Sequence, residues 1–134
     1  MSPLEEIELL PISESNDQLA QKVELVLACS KTKFKGSSRP KYSKFEIAEA
    51  LLETISYQVD DLNLPSELKG KIYTWISNSY DQSNHELVDI FSTLYLRLGE
   101  IKSVKEIKEK IRVTKNKKSI AYLKEALSEI ESHT

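Results

Sequence analysis

The chain has 134 residues, a formal net charge of −2 at pH 7, and a composition that is 40% apolar and 30% charged. This length is enough for one domain to bury a substantial core without disulfides or metals. Only three glycines and four prolines are present, which disfavours β-sandwiches, barrels and phosphate-cradling loops, because those structures need many special backbone angles.

The first forty residues predict an arm, a helix and a loop. Residues 1–15 show no clear apolar period and are expected to form an arm that lies on the domain or frays. Asn16 or Asp17 can cap a helix over residues 17–29, where apolar residues recur at helical spacing. A strand is the alternative there, because part of the same apolar set also alternates. Residues 30–42 are rich in lysine and carry Gly-Ser and Arg-Pro pairs, so we expect a mobile basic loop.

Four helix starts follow at a spacing of twenty residues, namely Ser43, Asn63, Ser83 and Ser103. Each serine begins a capping box, because a glutamate stands three residues later and can reach back to the N–H of the cap. Asn63 can cap the remaining helix, with Pro65 in its first turn. Two helices per forty residues is the period of HEAT-like helical hairpins.

Each of these segments carries an apolar stripe. The strongest comprises Ala48, Leu51, Leu52, Ile55, Val59 and Leu62. The acids on the other side of that helix are Glu46, Glu49, Glu53 and Asp60. A second helix is predicted over residues 65–79. A third follows Ser83 and ends at Gly99, where a left-handed residue is wanted.

Two shorter helices complete the pattern. The helix after Ser103 is expected to turn Val104, Ile107 and Ile111 inward. Its outward residues are expected to be Lys105, Lys108, Lys110 and Arg112. A final helix after Ser119 has apolar residues at alternating steps of three and four. The short connections imply antiparallel neighbours, so we predict a single all-α domain over residues 1–134 with five to six helices. A closed helical bundle and a short HEAT-like stack both fit.

Charge is strongly segregated along the chain. Residues 31–44 hold six basic residues and no acid, and residues 102–118 hold eight basic residues against two acids. Between them, residues 45–101 hold ten acids against three basic residues. Sign asymmetry of this kind bears on the partners of a protein rather than on its fold.

The residue types that carry catalysis or bind metals are sparse. Cys29 is the only cysteine, and the two histidines, His85 and His133, lie far apart. A zinc site needs three or four converging ligands, and an activated thiol needs a base beside it. We therefore expect no metal, no cofactor and no enzymatic activity. The acids on helix faces read as solvated, whereas a general acid needs an apolar or like-charged setting.

The expected location is the cytoplasm. A lone cysteine fits a reducing compartment, and the acidic start of the chain has no apolar run of signal-peptide length. No stretch approaches the roughly 18 uninterrupted apolar residues of a membrane span.

Recognition of a protein partner is the interpretation that uses most of these features. The acidic middle region would attract a basic partner, and aromatic residues beside charged rims are typical of interface centres. The predicted partner-binding residues are Glu53, Asp60, Asp61, Tyr80, Asp81, Glu86 and Asp89.

Nucleic-acid binding is the alternative. The basic segments 31–44 and 102–118 can follow a phosphate backbone, with Phe34 and Tyr42 available to stack on bases. The residues predicted for this role are Lys31, Lys33, Lys35, Arg39, Lys41, Lys105, Lys108 and Arg112. The acidic region between the two segments would repel the same backbone.

One stretch also suggests a family. The run Asn84-His85-Glu86-Leu87-Val88-Asp89-Ile90-Phe91, continuing to Gly99 and followed by a lysine-rich helix and by residues 126–130, resembles a HEAT-type unit of small bacterial toxin-immunity proteins. The resemblance covers about a third of the chain. It implies a non-catalytic protein that binds and blocks a cognate toxin, often a basic nuclease whose active site meets acidic residues.

Overall fold

The computed structural model of the protein describes residues 2–56, 62–99 and 101–132. Over these residues the chain is all-α, with no strand, which confirms the predicted fold class. Seven helices are present there, one or two more than expected. They are α1 (Pro3–Glu8), α2 (Asn16–Cys29), α3 (Lys44–Ser56), α4 (Ser66–Ser79), α5 (His85–Leu98), α6 (Ile101–Val113) and α7 (Lys117–Ser132). None of the helices in the described ranges is both long and apolar enough to cross a membrane.

The chain divides into two compact units, Met1–Trp75 and Ile76–Thr134, and the division falls within α4. In the first unit α2 packs against both α1 and α3. In the second unit α5, α6 and α7 each pack against the other two. The connections between these last three helices are short, as the sequence predicted.

A helix stands at the start of the chain where an arm was expected. The Ser2 side chain accepts a hydrogen bond from the backbone N–H of Glu5 at 3.3 Å, and Pro3 occupies the first turn. Leu4 and Ile7 are buried, and the Leu4 N–H donates to the Tyr42 hydroxyl at 3.3 Å. A helix of six residues buries only two apolar side chains, so it has no period for a sequence pattern to show.

The segment over residues 17–29 is helical, and the strand alternative is wrong. The cap of α2 is Ser15, whose hydroxyl accepts from the Gln18 N–H at 3.2 Å. Asn16, predicted as a cap, instead accepts a hydrogen bond from the Asn63 N–H at 3.0 Å.

The twenty-residue spacing of helix starts is only approximate. The helices begin at Lys44, Ser66, His85 and Ile101, so that successive starts are 22, 19 and 16 residues apart. The Ser43 capping box is confirmed in both arms: the Glu46 N–H donates to Ser43 Oγ at 3.1 Å, and the Ser43 N–H donates to Glu46 Oε1 at 3.0 Å.

Two of the other predicted caps, Ser83 and Ser103, are wrong. Asn84, rather than Ser83, caps α5, because its Oδ1 accepts from the Leu87 N–H at 3.2 Å. Helix α6 begins two residues before Ser103, so Ser103 lies within the helix, where it is buried. Asn63 lies three residues ahead of α4, and the Pro65 carbonyl accepts from the N–H groups of Leu68 and Lys69, both at 3.1 Å.

The core of each unit follows most of the predicted stripes, although Leu52 and Leu62 of the first stripe are only half-buried. In the first unit the fully or nearly fully buried side chains include Leu19, Val23, Val26, Ile47, Ala48, Leu51 and Ile55. In the second they include Leu87, Val88, Phe91, Leu94, Tyr95, Ile107 and Leu123. Val59, also predicted for the first core, lies outside the described residues. Gly99 takes the expected left-handed conformation at the end of α5, with φ of 60°.

Lys110 departs from the sequence pattern. It was expected to face outward from α6, yet it is only 9% exposed. Its ammonium lies 3.3 Å from Ser77 Oγ and 5.6 Å from the centre of the Tyr80 ring. The buried face of α6 therefore includes Lys110 beside Ile107, whereas the predicted Val104 and Ile111 are only half-buried.

Residues 30–42 form the predicted loop, here called the basic loop. Lys33 and Pro40 make an isolated antiparallel bridge, supported by the Phe34 N–H to Arg39 carbonyl bond at 3.1 Å. Gly36 has φ of 74° at the tip, where other residues would be strained. The loop is thus a short hairpin with a defined backbone.

Candidate functional site

Three glutamates form an exposed stripe along α3. Glu46, Glu49 and Glu53 stand at i, i+3 and i+7, so they share one face of the helix, and all three are exposed. Only Glu46 also has a local role, as the returning arm of the Ser43 capping box. These three residues are called the acidic stripe below.

A cleft lies beside the end of the acidic stripe within the first unit. It has a volume of about 180 Å³. Its lining residues are Ile7, Glu8, Leu10, Ile12, Lys22, Ala50, Glu53 and Thr54. They come from α1, the segment after α1, α2 and α3, and we call the site the α1–α3 cleft. Of the predicted partner-binding residues that the structure describes, Glu53 is the one that lines it.

The segment that connects α1 to α2 exposes large apolar side chains, of which Leu10 and Ile12 line this cleft. Leu9 is 70% exposed, Leu10 44% and Ile12 52%. The Lys22 ammonium holds the segment in place, because it donates a hydrogen bond to the Pro11 carbonyl at 2.7 Å. Sequence reasoning missed this site, since the residues that form it lie in the part of the chain without a periodic pattern.

The second unit carries its own group of carboxylates, Asp81, Glu86 and Asp89, here called the α5 acidic cluster. All three residues are exposed. Glu86 and Asp89 lie three residues apart on α5 and therefore face the same way. Asp81 precedes the helix, and its Oδ1 accepts from the Ser83 hydroxyl at 2.6 Å and from the Ser83 N–H at 3.1 Å. Carboxylates near a helix N-terminus are also favoured by the helix dipole.

Tyr80 lies next to this cluster but is tied into the second unit. The residue is half-buried, and its hydroxyl is hydrogen-bonded to Thr114. Thr114 donates in turn to the Lys110 carbonyl at 2.6 Å. Burial raises the pKa of the Tyr80 hydroxyl, the bond with Thr114 opposes the rise, and the Asp81 carboxylate adds to it. Tyr80 thus presents part of its ring rather than its whole side chain.

The remaining predicted partner-binding residues, Asp60 and Asp61, lie outside the described residues, as does Tyr57. Among the other aromatic residues of the middle region, Tyr73 and Tyr95 are buried and Trp75 is half-buried. Aromatic side chains that a partner can reach are therefore fewer than the sequence suggested.

The residues predicted for nucleic-acid binding lie on two surfaces, one in each unit. In the basic loop Lys31, Lys33, Lys35 and Arg39 are exposed and Lys41 is half-buried. Phe34 is 51% exposed, but Tyr42 is buried and cannot stack on a base. In α6 the residues Lys105, Lys108 and Arg112 are exposed, and Arg112 forms an ion pair with Glu109.

The candidate reactive groups are dispersed. The Cys29 thiol is buried, and burial raises its pKa while the charge of Lys41 lowers it. His85 stands in the first turn of α5, in the second unit, whereas Cys29 belongs to the first. Over the described residues, no group of three or more His, Cys, Asp or Glu residues is arranged to hold a metal ion.

The surfaces described above are the α1–α3 cleft with the acidic stripe, the α5 acidic cluster, the basic loop and the exposed face of α6. Comparison of the chain with protein-family models, with curated proteins and with solved structures found no match. The function is therefore inferred from the residues of this chain alone.

Proposed function

We propose that the protein is a non-catalytic binding module for a basic protein partner, acting in the manner of an immunity or antitoxin protein. The observation that carries this proposal is the exposure of carboxylates at helical spacing in both units, in the acidic stripe of α3 and in the α5 acidic cluster. The resemblance of residues 84–99 to a HEAT-type immunity unit points in the same direction.

The carboxylates of the acidic stripe stand on an exposed face of α3. Exposed carboxylates at i, i+3 and i+7 place their charge in water, so their field extends into solvent over about one Debye length, roughly 8 Å at physiological salt. Such a surface accelerates encounters with a positively charged partner and repels a negatively charged one.

The proposal is tested by capture at two salt concentrations. The tagged protein is used to retrieve partners from a lysate of its source cells at low and at high salt. We expect a basic protein to be retained at low salt and released at high salt. Recovery of no basic protein at low salt would refute the proposal.

Charge reversal locates the surface. The double substitution Glu49→Lys with Glu53→Lys changes two exposed positions one turn apart on α3. Its control is Glu125→Lys with Glu129→Lys, which reverses two exposed glutamates at the same i, i+4 spacing on α7. Both variants change the net charge equally. Loss of the partner with the first variant and its retention with the second assigns binding to the acidic stripe.

Nucleic-acid binding stays the second candidate because of the basic loop. Its hairpin backbone holds exposed cations beside the exposed ring of Phe34, a combination that suits a single strand. This candidate predicts affinity that falls steeply with salt, in proportion to the phosphates contacted. A gel-shift titration that shows no binding at low salt would eliminate it, and Phe34→Ala would weaken any binding that depends on stacking.

A further inference from the structure

We propose that the α1–α3 cleft takes up a partner segment in which a large apolar side chain is flanked by lysine or arginine. This inference rests on the proposed function, since it names the part of the basic partner that is bound and the site that binds it. It goes beyond that function in assigning recognition to the first unit and to a cleft lined by both apolar and acidic side chains.

Apolar side chains are left partly exposed at the cleft. Ile7, Leu10, Ile12 and Ala50 line it, and Leu10 and Ile12 are 44% and 52% exposed. These two residues expose far more of their side chains than Leu4 and Ile7 of α1, which are 5% and 8% exposed. A cavity of about 150 Å³ with apolar walls accommodates a benzene ring. A cleft of about 180 Å³ therefore has room for a side chain of the size of leucine or phenylalanine.

The rim of the cleft carries carboxylates. Glu8 and Glu53 line the cleft, and both are exposed. Among the described residues that line the cleft, Lys22 is the basic one, and its ammonium donates a hydrogen bond to the Pro11 carbonyl at 2.7 Å. An incoming cation beside the apolar side chain would find two carboxylates, and an incoming anion would find mainly repulsion.

The surrounding helices extend the same sign of charge. Helices α1, α2 and α3 together hold eight acidic residues and two basic ones. The acidic stripe continues from Glu53 away from the cleft along α3, through Glu49 to Glu46. A segment seated by its apolar side chain thus has carboxylates to meet basic residues one and two helical turns away. Charge complementarity selects a basic apolar segment over a neutral or an acidic one.

The test uses three synthetic peptides of equal length. The probe has a Leu-Leu pair flanked on each side by two lysines; one comparison peptide replaces the lysines with glutamates, and the other replaces the leucines with serines. Each peptide is titrated into the full-length, ¹⁵N-labelled protein at low salt. We expect only the lysine–leucine peptide to bind and to shift backbone signals around Ile12, Ala50 and Glu53.

Two variants and two matched controls sharpen the assignment. Ile12→Ser removes an exposed apolar contact of the cleft, and Phe34→Ser removes a side chain of nearly equal exposure, 51%, in the basic loop. Glu53→Lys reverses a rim charge, and Glu24→Lys reverses an exposed charge on α2 that does not line the cleft. We expect each cleft variant to weaken binding of the lysine–leucine peptide by about fivefold or more, the effect of one lost apolar or ionic contact. The affinity of each control variant for the same peptide should stay within about twofold of that of the parent protein.

The outcomes separate this inference from the function on which it rests. Equal binding of the lysine–serine peptide would overturn the apolar part of the proposal, because charge alone would then suffice. Signal shifts confined to the α5 acidic cluster would overturn the cleft but leave a basic partner as the ligand. Recovery of a basic partner by capture, together with no binding of the lysine–leucine peptide, would overturn the cleft alone. Failure of the capture experiment overturns the proposed function itself.

Discussion

The capping boxes permit a sharp test of the fold, because identical sequence signals have different structural outcomes. Ser43 and Ser83 each stand three residues before a glutamate, yet only Ser43 caps a helix. Asn84 caps α5 instead. We therefore expect Ser43→Ala and Asn84→Ala to destabilise the protein and Ser83→Ala to have little effect.

The magnitude follows from the bonds at each position. Ser43→Ala removes Ser43 Oγ, which accepts the 3.1 Å bond from the Glu46 N–H. The 3.0 Å bond from the Ser43 N–H to Glu46 Oε1 can persist, because its donor is in the backbone. Both residues are exposed, so water can take up the freed N–H, and the expected loss is about 1 kcal/mol. Asn84→Ala should cost about the same. Ser83→Ala loses only the exposed bond from its hydroxyl to Asp81, while the bond from its N–H persists, and it should cost less than about 0.5 kcal/mol.

Urea unfolding followed by far-ultraviolet circular dichroism measures these differences, with thermal unfolding as a second readout. For a chain of this length 1 kcal/mol corresponds to a fall of about 3–5 °C in Tm. Ser43→Asp serves as the rescue variant, because its carboxylate can accept the same bond and suits the helix N-terminus. An equal loss for Ser83→Ala and Asn84→Ala would refute the assignment of the cap, and no loss for Ser43→Ala would refute the energetic argument.

Two further predictions concern the glycines and the pH dependence. Gly70→Ala should stabilise the protein by about 0.5–1 kcal/mol in urea unfolding, because a Cβ there meets nothing within 4 Å and alanine favours the interior of α4. Gly99→Ala should destabilise it by about 1 kcal/mol, since φ is +60° at that position. The raised pKa of Tyr80 means that the folded state holds the phenolic proton more tightly than the unfolded state does. The resulting stabilisation is complete below about pH 10 and is lost as the pH rises through the folded pKa. Unfolding free energies should therefore fall less steeply above pH 10 in Tyr80→Phe than in the parent chain, and parallel profiles would contradict this.

The helical elements of the middle and end of the chain were predictable because their periodicity is strong. The stripe from Leu87 to Leu98 is buried as expected, and Gly99 ends the helix in the predicted conformation. Helix α1 was not predictable from its pattern, since six residues cannot display a period. Caps were the least predictable feature. Ser, Asn and Asp can each accept from a free N–H, and the one that does so depends on where the backbone leaves the helix.

The candidate site was also predictable only in part. Exposure of the acidic stripe follows from the position of its members opposite the apolar face of α3, which the sequence shows directly. The cleft beside it joins Glu53 to Ile7, Leu10 and Ile12, residues more than forty positions away in the chain. No local pattern encodes that proximity, which arises because α2 packs on both α1 and α3.

The sequence by itself determined the all-α class, the apolar stripe of each long helix and the segregation of charge, because these properties depend on neighbours within a few turns. Tertiary packing decided the rest. It turned Lys110 inward against Ser77 and Tyr80, chose Asn84 over Ser83 as a cap, and placed an apolar segment without periodicity beside Glu53. The physical reason is that burial and cleft formation depend on distances between residues remote in sequence, and the choice of a cap depends on the residue at which the backbone leaves the helix, which only the folded backbone establishes.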